Sequence, residues 1–256
     1  MLSVVLLSLS ATFASDDVNA EVIAIDDETN IEEPLALDED TSQASADEND
    51  EVLGTSAVVN SSNINDYIDE SGKIKETVTA DELVFNGTFD NLNLTVNRSI
   101  TLTGNDAILN NPDIQIVSGN VTLKGFTIIQ TKGVNSVFVA GADDKYISNV
   151  TLSDLKIDFT DDMSGIDSIP VQVYYVNDFN LIDSVINYVG NSVGFVNNAV
   201  RISNTYDAKI RGNKINAKLV SLPVGWAEEP AGSDNWVSSP LSEGIVIANS
   251  NRVYFE

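Results

Sequence analysis

The chain has 256 residues, with 39 Asp and Glu against 13 Lys and Arg, and a formal net charge of −26. Nucleic acid and anionic membrane surfaces are therefore excluded as expected partners, because both are bound through concentrated Lys and Arg. The sequence contains no Cys and no His, which excludes disulfides, thiolate and imidazole metal sites, and catalysis by a His base.

The first 53 residues divide into two segments that we do not assign to the folded body. Residues 1–14 are apolar and end in small residues, which indicates a secretory signal rather than a membrane span or an ordinary buried segment. We therefore expect an exported protein with no membrane insertion of the mature chain. Residues 15–53 contain 15 acidic residues and no Lys or Arg, which predicts a disordered acidic spacer.

A short helix is predicted next, in Ser62–Gly72. Ile64, Tyr67 and Ile68 are spaced i, i+3, i+4, Ser62 or Asn63 can cap the helix, and Gly72 can end it. One such helix suits the N-terminal cap of a repeat protein, because the first repeat otherwise exposes apolar side chains and strand edges. We place this cap at residues 60–72.

A nine-residue motif then recurs at a constant step, at Asn120, Asn149, Asp178 and Asp207, where 149 − 120, 178 − 149 and 207 − 178 all equal 29. Its alternation of apolar and polar residues predicts short strands. The inward positions form two predicted rows, Val121/Val150/Phe179/Ala208 and Ile128/Ile157/Ile186/Ile215. Further strands are predicted at Ile114–Val117, Val137–Ala140, Val171–Tyr175, Val200–Ser203 and Ile245–Ala248. A fixed period of strands predicts an all-β solenoid of about 29 residues per coil over residues 73–256, whereas a two-sheet sandwich does not explain the constant step.

Two features depart from this period. Asn91–Leu94 lies the same step before Asn120 (120 − 91 = 29), but its second half does not match the motif. Aligning Asp207 with Arg252 gives a step of 45, so the last coil contains 16 extra residues, within Leu222–Pro240. Because the chain stops at Glu256 inside a strand, we expect that a continuation of the same solenoid is missing.

The Leu222–Pro240 insertion is the predicted ligand-binding loop, since its length is not needed to build a coil. It contains two tryptophans with carboxylates between them, a combination that suits a sugar ring or a protein hot spot. The predicted binding residues are Trp226, Trp236, Glu228, Glu229 and Asp234. Packing of both tryptophans against the coil is the alternative.

The motif, read as NVTLKGFTI in its first copy, resembles the right-handed parallel β-helix of the pectin-lyase-like superfamily. The order of leader, acidic spacer, cap and coils resembles adhesin-like surface proteins of methanogenic archaea. This resemblance covers residues 62–256 and implies a secreted or cell-surface protein that presents loops to glycans or surface partners. It carries over no catalytic residues. A purely structural envelope repeat remains open as another function.

A carbohydrate-active enzyme, a lyase or glycosidase of the same fold, is the main alternative function. Hydrolysis needs two converging carboxylates, and the close Asp pairs are Asp143–Asp144 and Asp161–Asp162. A lyase needs a basic residue, for which Arg201 and Arg211 are candidates if they lie close together. Adjacent acids in loops are more often solvated turn formers. We therefore predict no catalytic residue, no metal site and no cofactor.

The Asn or Asp that begins each motif is interpreted as a corner residue rather than a metal ligand, because these side chains tolerate left-handed backbone. Several Asn also belong to N-x-Ser/Thr sequons, which carry glycans in exported proteins where the Asn is exposed. The predicted glycosylation sites are Asn86, Asn93 and Asn97.

Overall fold

The computed structural model describes residues 54–133, 135–161, 168–190, 197–219 and 242–256. These residues belong to one compact unit, 51–256. The predicted signal segment, the acidic spacer and the whole Leu222–Pro240 insertion lie outside the described residues.

The described residues form an all-β body with one short helix. In chain order the elements are β1 (Ser56–Val59), α1 (Ile64–Tyr67), β2 (Glu82–Asp90), β3 (Asn93–Val96), β4 (Ile100–Asn110), β5 (Asp113–Ile116), β6 (Val121–Lys124), β7 (Thr127–Gln130), β8 (Val137–Ala140), β9 (Ile147–Ser153), β10 (Lys156–Thr160), β11 (Val171–Tyr174), β12 (Val176–Ile182), β13 (Val185–Gly190), β14 (Asn197–Ser203), β15 (Lys209–Arg211), β16 (Lys214–Leu219), β17 (Ser242–Ala248) and β18 (Tyr254–Phe255). In this part of the chain, no helix is long and apolar enough to cross a bilayer.

These strands form three stacks, which we call ladders, and all their pairings are parallel. Ladder A runs β2-β4-β7-β10-β13-β16, and ladder B runs β1-β2-β4-β6-β9-β12-β15-β18; they share the long strands β2 and β4. Ladder C is a separate six-stranded sheet, β3-β5-β8-β11-β14-β17. The chain visits the three ladders in turn, which is consistent with a parallel β-helix.

The predicted inward rows are confirmed. Val121 pairs with Val150, and Val150 pairs with Phe179; Ala208 occupies the next place and is fully buried. Ile128, Ile157, Ile186 and Ile215 also stack in register, with the first three fully buried. The additional strands predicted at residues 114, 137, 171, 200 and 245 all occur and form ladder C with β3. Burying one such Val or Ile contributes about 1.5–3 kcal/mol to folding, so the rows form the core of the stack.

The step in residue number between paired strands varies along the molecule. From Val121 to Ile215 in ladders A and B this step is constant, as in Val121–Val150 (150 − 121 = 29). In the N-terminal turns the step is shorter, since Glu82 pairs with Thr101 (101 − 82 = 19). At the other end Lys209 pairs with Tyr254 (254 − 209 = 45), which confirms the displaced fifth copy of the motif.

The 29-residue spacing of Asn91–Leu94 from Asn120, whose second half does not match the motif, does not mark an equivalent strand. Leu94 pairs with Ile114 in ladder C, so Asn91–Leu94 is not an earlier copy of the Asn120 motif, which lies in ladder B. The reason is that the N-terminal turns are too short to keep the spacing of the central turns.

The corner interpretation of the motif is confirmed. The residues that begin each copy adopt left-handed backbone, with φ of 53° at Asn120, 57° at Asn149, 55° at Asp178 and 56° at Asp207. Arg252 takes the corresponding place after the 45-residue step, with φ of 55°. Left-handed backbone is costly for most residues, and short polar side chains offset that cost by local hydrogen bonds.

The N-terminal segment contains the predicted helix in a reduced form of four residues. Ile68, directly after it, is buried, while Ile64 and Tyr67 are half-buried and pack against the core. Asn63 precedes the helix but makes no side-chain cap; its amide instead donates to the Val58 carbonyl at 3.0 Å. Gly72 has φ of 85°.

Candidate functional site

The connections from ladder A to ladder C differ most between turns. In the two N-terminal turns this corner has two residues, 91–92 and 111–112. In later turns the same corner spans 131–136, 161–170, 191–196 and 220–241. The longest connections between the described strands therefore adjoin ladder C.

Five aromatic side chains form a continuous chain of ring contacts along ladder C and its corner with ladder B. We call the set the aromatic row; its members, in order of contact, are Phe138, Tyr174, Tyr175, Tyr146 and Tyr206. Successive ring centroids are 6.1, 6.3, 5.6 and 5.6 Å apart. All five side chains retain contact with solvent, and Tyr206 is 39% exposed. Aromatic rings that are not fully buried are the usual anchors of binding surfaces.

The positions of these rings follow from the inward–outward alternation of side chains along the strands and from the register between strands. Phe138 and Tyr174 occupy outward positions of β8 and β11, because their neighbours Val137, Val139 and Val173 are buried. Tyr175 is a left-handed corner residue with φ of 55°. Ile147 pairs with Val176, which stacks Tyr146 beside Tyr175, one turn apart.

A group of amide side chains adjoins the row. The Asn135 amide donates to Gln172 Oε1 at 2.8 Å and to the Ile169 carbonyl at 2.7 Å. Gln172 Nε2 is 2.9 Å from the Tyr174 hydroxyl, to which it donates. Gln172 therefore connects the loop residue Asn135 to the aromatic row.

Asn135 also lines an open groove of about 460 Å³, together with Asn111, Asp113, Gln115 and Lys132. The buried Gln130 holds this loop in place, because its Nε2 donates to the Lys132 carbonyl at 2.6 Å. The Asn111 side chain accepts from the Thr131 backbone amide at 2.8 Å. The groove is thus lined by amide side chains that both donate and accept hydrogen bonds.

Charged side chains of both signs are described around the groove and the row. The carboxylates include Asp113, Asp143 and Asp144, and the cations include Lys132, Lys145 and Arg201. Partial removal from water raises the pKa of Tyr146, and the neighbouring Tyr206 and Asp143 raise it further. Tyr146 is therefore a neutral phenol at physiological pH.

The predicted ligand-binding residues of the insertion are not tested. Trp226, Trp236, Glu228, Glu229 and Asp234 all lie outside the described residues. The strands on either side are described: β16 belongs to ladder A and β17 to ladder C.

The three predicted glycosylation sites differ in their surroundings. Asn86 is half-buried in β2, and its amide, oriented as a donor, reaches the Phe85 and Asn105 carbonyls at 3.1 Å. Asn93 is exposed but packs against the backbone of Gly72. Asn97 is exposed at the corner after β3. Asn97 is consequently the most accessible acceptor of the three, and its glycosylation stays a prediction.

The residues considered for catalysis lie in two different settings. Asp143 and Asp144 are exposed in a tight turn between Ala142 and Lys145, which fits their interpretation as turn formers. Asp161 is buried and accepts a hydrogen bond from Ser168 at 2.8 Å, while Asp162 lies outside the described residues.

Arg201 and Arg211 belong to different ladders, C and B, so they do not stack on one another as the lyase hypothesis needed. Within the described ranges, no group of three or more acidic side chains is placed to hold a metal ion.

Sequence reasoning missed the aromatic row. Tyr146 and Tyr175 are separated by the step of the motif (175 − 146 = 29), and both fall at outward or corner positions. That spacing was the available signal, but the contacts with Phe138 and Tyr206 come only from the strand register.

Comparisons of the chain with protein-family models, with curated proteins and with solved structures find no match.

Proposed function

We propose that this protein is an exported, cell-surface, adhesin-like β-helix that binds glycans or other surface partners through the outer face of ladder C. The observation that carries the proposal is the aromatic row, five rings in contact with one another and with solvent on a regular strand scaffold. Aromatic side chains supply large contact areas at low entropic cost, which is what a binding surface needs.

We also propose three details of the fold: its handedness, the constant step of its central turns and its N-terminal cap. The stack is a right-handed parallel β-helix whose central turns keep one constant step, with an N-terminal cap built around α1. The parallel ladders support the first part, because parallel strands joined by crossovers are right-handed in nearly all known cases. The burial of Ile68 and Ile74 beside α1 supports the cap.

Attachment of the purified protein to cells of its source organism tests the function. Beads coated with the wild-type chain should attach, and a Tyr174→Ala/Tyr206→Ala variant should lose most of that attachment. Tyr254→Ala is the matched control, since Tyr254 is 50% exposed on β18 and lies outside the row. Equal attachment of the row variant and the wild type, with both folded, would contradict the proposal. Surface labelling of intact cells tests export separately.

A further inference from the structure

We infer that the free edge of β2, at Thr88–Asp90, is a docking site for an extended basic segment of a partner protein. The segment adds to ladder A as one further strand and pairs with β2 through its backbone. This inference goes beyond the proposed function, because the site lies at the N-terminal end of the stack and shares no residue with the aromatic row. Three observations support it: an unpaired strand edge, a groove beside that edge, and the charge of the surroundings.

The second half of β2 has a strand on one side only. β1 pairs with β2 as far as Phe85, whereas Thr88 and Asp90 pair with β4 and no other described strand lies beside them. The Asn91 amide donates to the Asn110 carbonyl of β4 at 2.7 Å. Because the backbone groups of successive residues point to opposite sides of a strand, those of Thr88 and Asp90 point to the free edge. Unpaired edge groups of this kind are a template for an added strand.

The other two ladders are covered at the same end of the stack. In ladder B the first strand is β1, and the Asn63 side chain donates to its Val58 carbonyl at 3.0 Å. In ladder C the Thr95 amide of β3 donates to the Gly72 carbonyl at 2.7 Å, so the backbone that follows α1 covers that edge. Strand edges are usually protected in such ways. The uncovered edge of ladder A is therefore the place at this end where a partner strand can pair.

A groove of about 460 Å³, which we call the edge groove, lies between α1 and this edge. Its apolar lining is formed by Ile64 of α1 with Phe89 and Leu92, and its polar lining includes Ser61 and Asp90. Ile64 and Leu92 are half-buried and pack against the core, so the apolar side of the groove is held in place. An added strand can thus pair through its backbone and place an apolar side chain in the edge groove.

The charge of the surroundings favours a basic segment. Asp90 is exposed and is the only charged residue among those that line the edge groove, all of which are described. The N-terminal end of the stack, residues 54–93, is described without a gap and has 2 Lys and 7 Asp and Glu, a net charge of −5 (2 − 7). Residues 1–53 contain no Lys or Arg, so they supply no compensating positive charge. A basic partner is therefore attracted and an acidic one repelled.

Titration of the purified chain with synthetic peptides tests the inference. The probes are a peptide of alternating lysine and valine, the same peptide with a fully N-methylated backbone, and a peptide of alternating glutamate and valine. We expect the lysine peptide to bind, and its Kd to rise when NaCl is raised from 50 to 500 mM. The N-methylated form should bind about tenfold more weakly, because it cannot donate backbone hydrogen bonds. The glutamate peptide should not bind.

Two substitutions at Asp90 separate charge from backbone pairing. Asp90→Asn removes the carboxylate and keeps the backbone amide, whereas Asp90→Pro removes both, and proline is tolerated on an edge strand where its nitrogen faces solvent. The lysine peptide should bind more weakly to Asp90→Asn than to the wild type, and about tenfold more weakly again to Asp90→Pro. Asp154→Asn, which removes an exposed carboxylate of a central corner, and Tyr174→Ala in the aromatic row should leave this binding unchanged. Circular dichroism melting verifies that each variant is folded.

Absence of lysine-peptide binding, equal binding of the N-methylated peptide, or equal binding by the folded Asp90→Pro and Asp90→Asn variants would each overturn the inference. Sedimentation of the chain alone tests a second copy as the occupant. A dimer that Asp90→Pro abolishes, without binding of the lysine peptide, would show that two edges pair with each other and would contradict a separate partner. The bead assay is independent of these results, because it depends on the aromatic row.

Discussion

The N-terminal turns, which start at β2 and β4, and the central turns, which start at β6, β9 and β12, are built on the same three ladders but differ in length. The step between strand partners is 19 for Glu82–Thr101 (101 − 82) and 21 for Ile100–Val121 (121 − 100) in the first group, and 29 in the second. The strands keep their places, although β2 and β4 each span ladders A and B, where a central turn has two separate strands. The additional residues are in the connections, and the groove and the aromatic row occur where these are longer. The strands and corners therefore set the cross-section of the stack, and the residues that the central turns add form the proposed binding surface.

The largest expected effect comes from the close packing of the short turns. Gly104 in β4 faces Gly125, and a Cβ added at Gly104 would lie 2.7 Å from the Gly125 carbonyl oxygen and 2.9 Å from the Phe126 ring. Backbone cannot move aside as a flexible side chain does, so Gly104→Ala should lower the free energy of unfolding by about 1–3 kcal/mol. Denaturant unfolding monitored by circular dichroism measures this change.

Gly244→Ala is the matched control for that substitution. Gly244 lies in β17, and the nearest atom to an added Cβ is Ile215 Cγ2 at 3.9 Å, an ordinary contact. Alanine is better than glycine in a strand interior, so stability should be unchanged or slightly higher. If the two alanine variants are equally stable, the short turns are not packed as tightly as this structure has them.

A second comparison uses one outward row of ladder A that passes through both groups of turns. Its members, from one end of the stack to the other, are Asp90, Asn110, Ile129, Asp158, Asn187 and Asn216. In the short turns Asn110 donates to Asp90 at 2.7 Å. In the central turns Asn187 donates to Asp158 and accepts from Asn216, both at 2.7 Å. The row is interrupted at Ile129, which is 38% exposed.

Asn187→Ala should cost about 1 kcal/mol, because it removes two hydrogen bonds from a half-buried position. Asn110→Ala, the matched control, removes one exposed hydrogen bond and should cost less.

A second pair of variants adds a side chain to the row at its interruption. Ile129→Asn completes the row and should be more stable than Ile129→Ser, whose side chain is too short to reach either neighbour. Urea midpoints at constant m-value provide the ranking. Equal stability of the Asn and Ser variants would show that the side-chain row contributes nothing.

Much of this architecture could be predicted from the sequence, because apolar alternation and a constant step are local signals. The inward Ile row and the left-handed Asn and Asp corners follow directly from them. The short turns could not be predicted in the same way, since their step changes from one turn to the next and does not appear as a repeat. The aromatic row was missed for a different reason: Tyr146, Tyr174 and Tyr206 are distant in sequence and meet only through strand register.

The smallest expected effect compares two exposed aspartates at opposite ends of the stack. In the N-terminal segment, hydrogen bonds from the Ser71 side chain and the Lys73 amide lower the pKa of Asp69. After the 45-residue step, the Arg252 side chain lowers the pKa of Asp207 by a two-point hydrogen bond of 2.5 and 2.6 Å and by its charge. Both carboxylates are bound by donors, but only the second depends strongly on an opposite charge.

Because both folded pKa values are lowered, each aspartate stabilises the protein above the ordinary carboxyl pKa of about 3.9 and loses this effect as the pH falls through the folded value. Asp69→Asn and Asp207→Asn should therefore each melt below the wild type at pH 7, and the differences should shrink as the pH falls below the ordinary carboxyl pKa. Asparagine keeps the left-handed corner at residue 207, so the comparison isolates the charge. At pH 7, raising NaCl from 50 to 500 mM should shrink the Asp207→Asn difference more than the Asp69→Asn difference, since an exposed ion pair is screened. A Tm difference for Asp207→Asn that is the same at both salt concentrations would show that Arg252 acts as a hydrogen-bond donor alone.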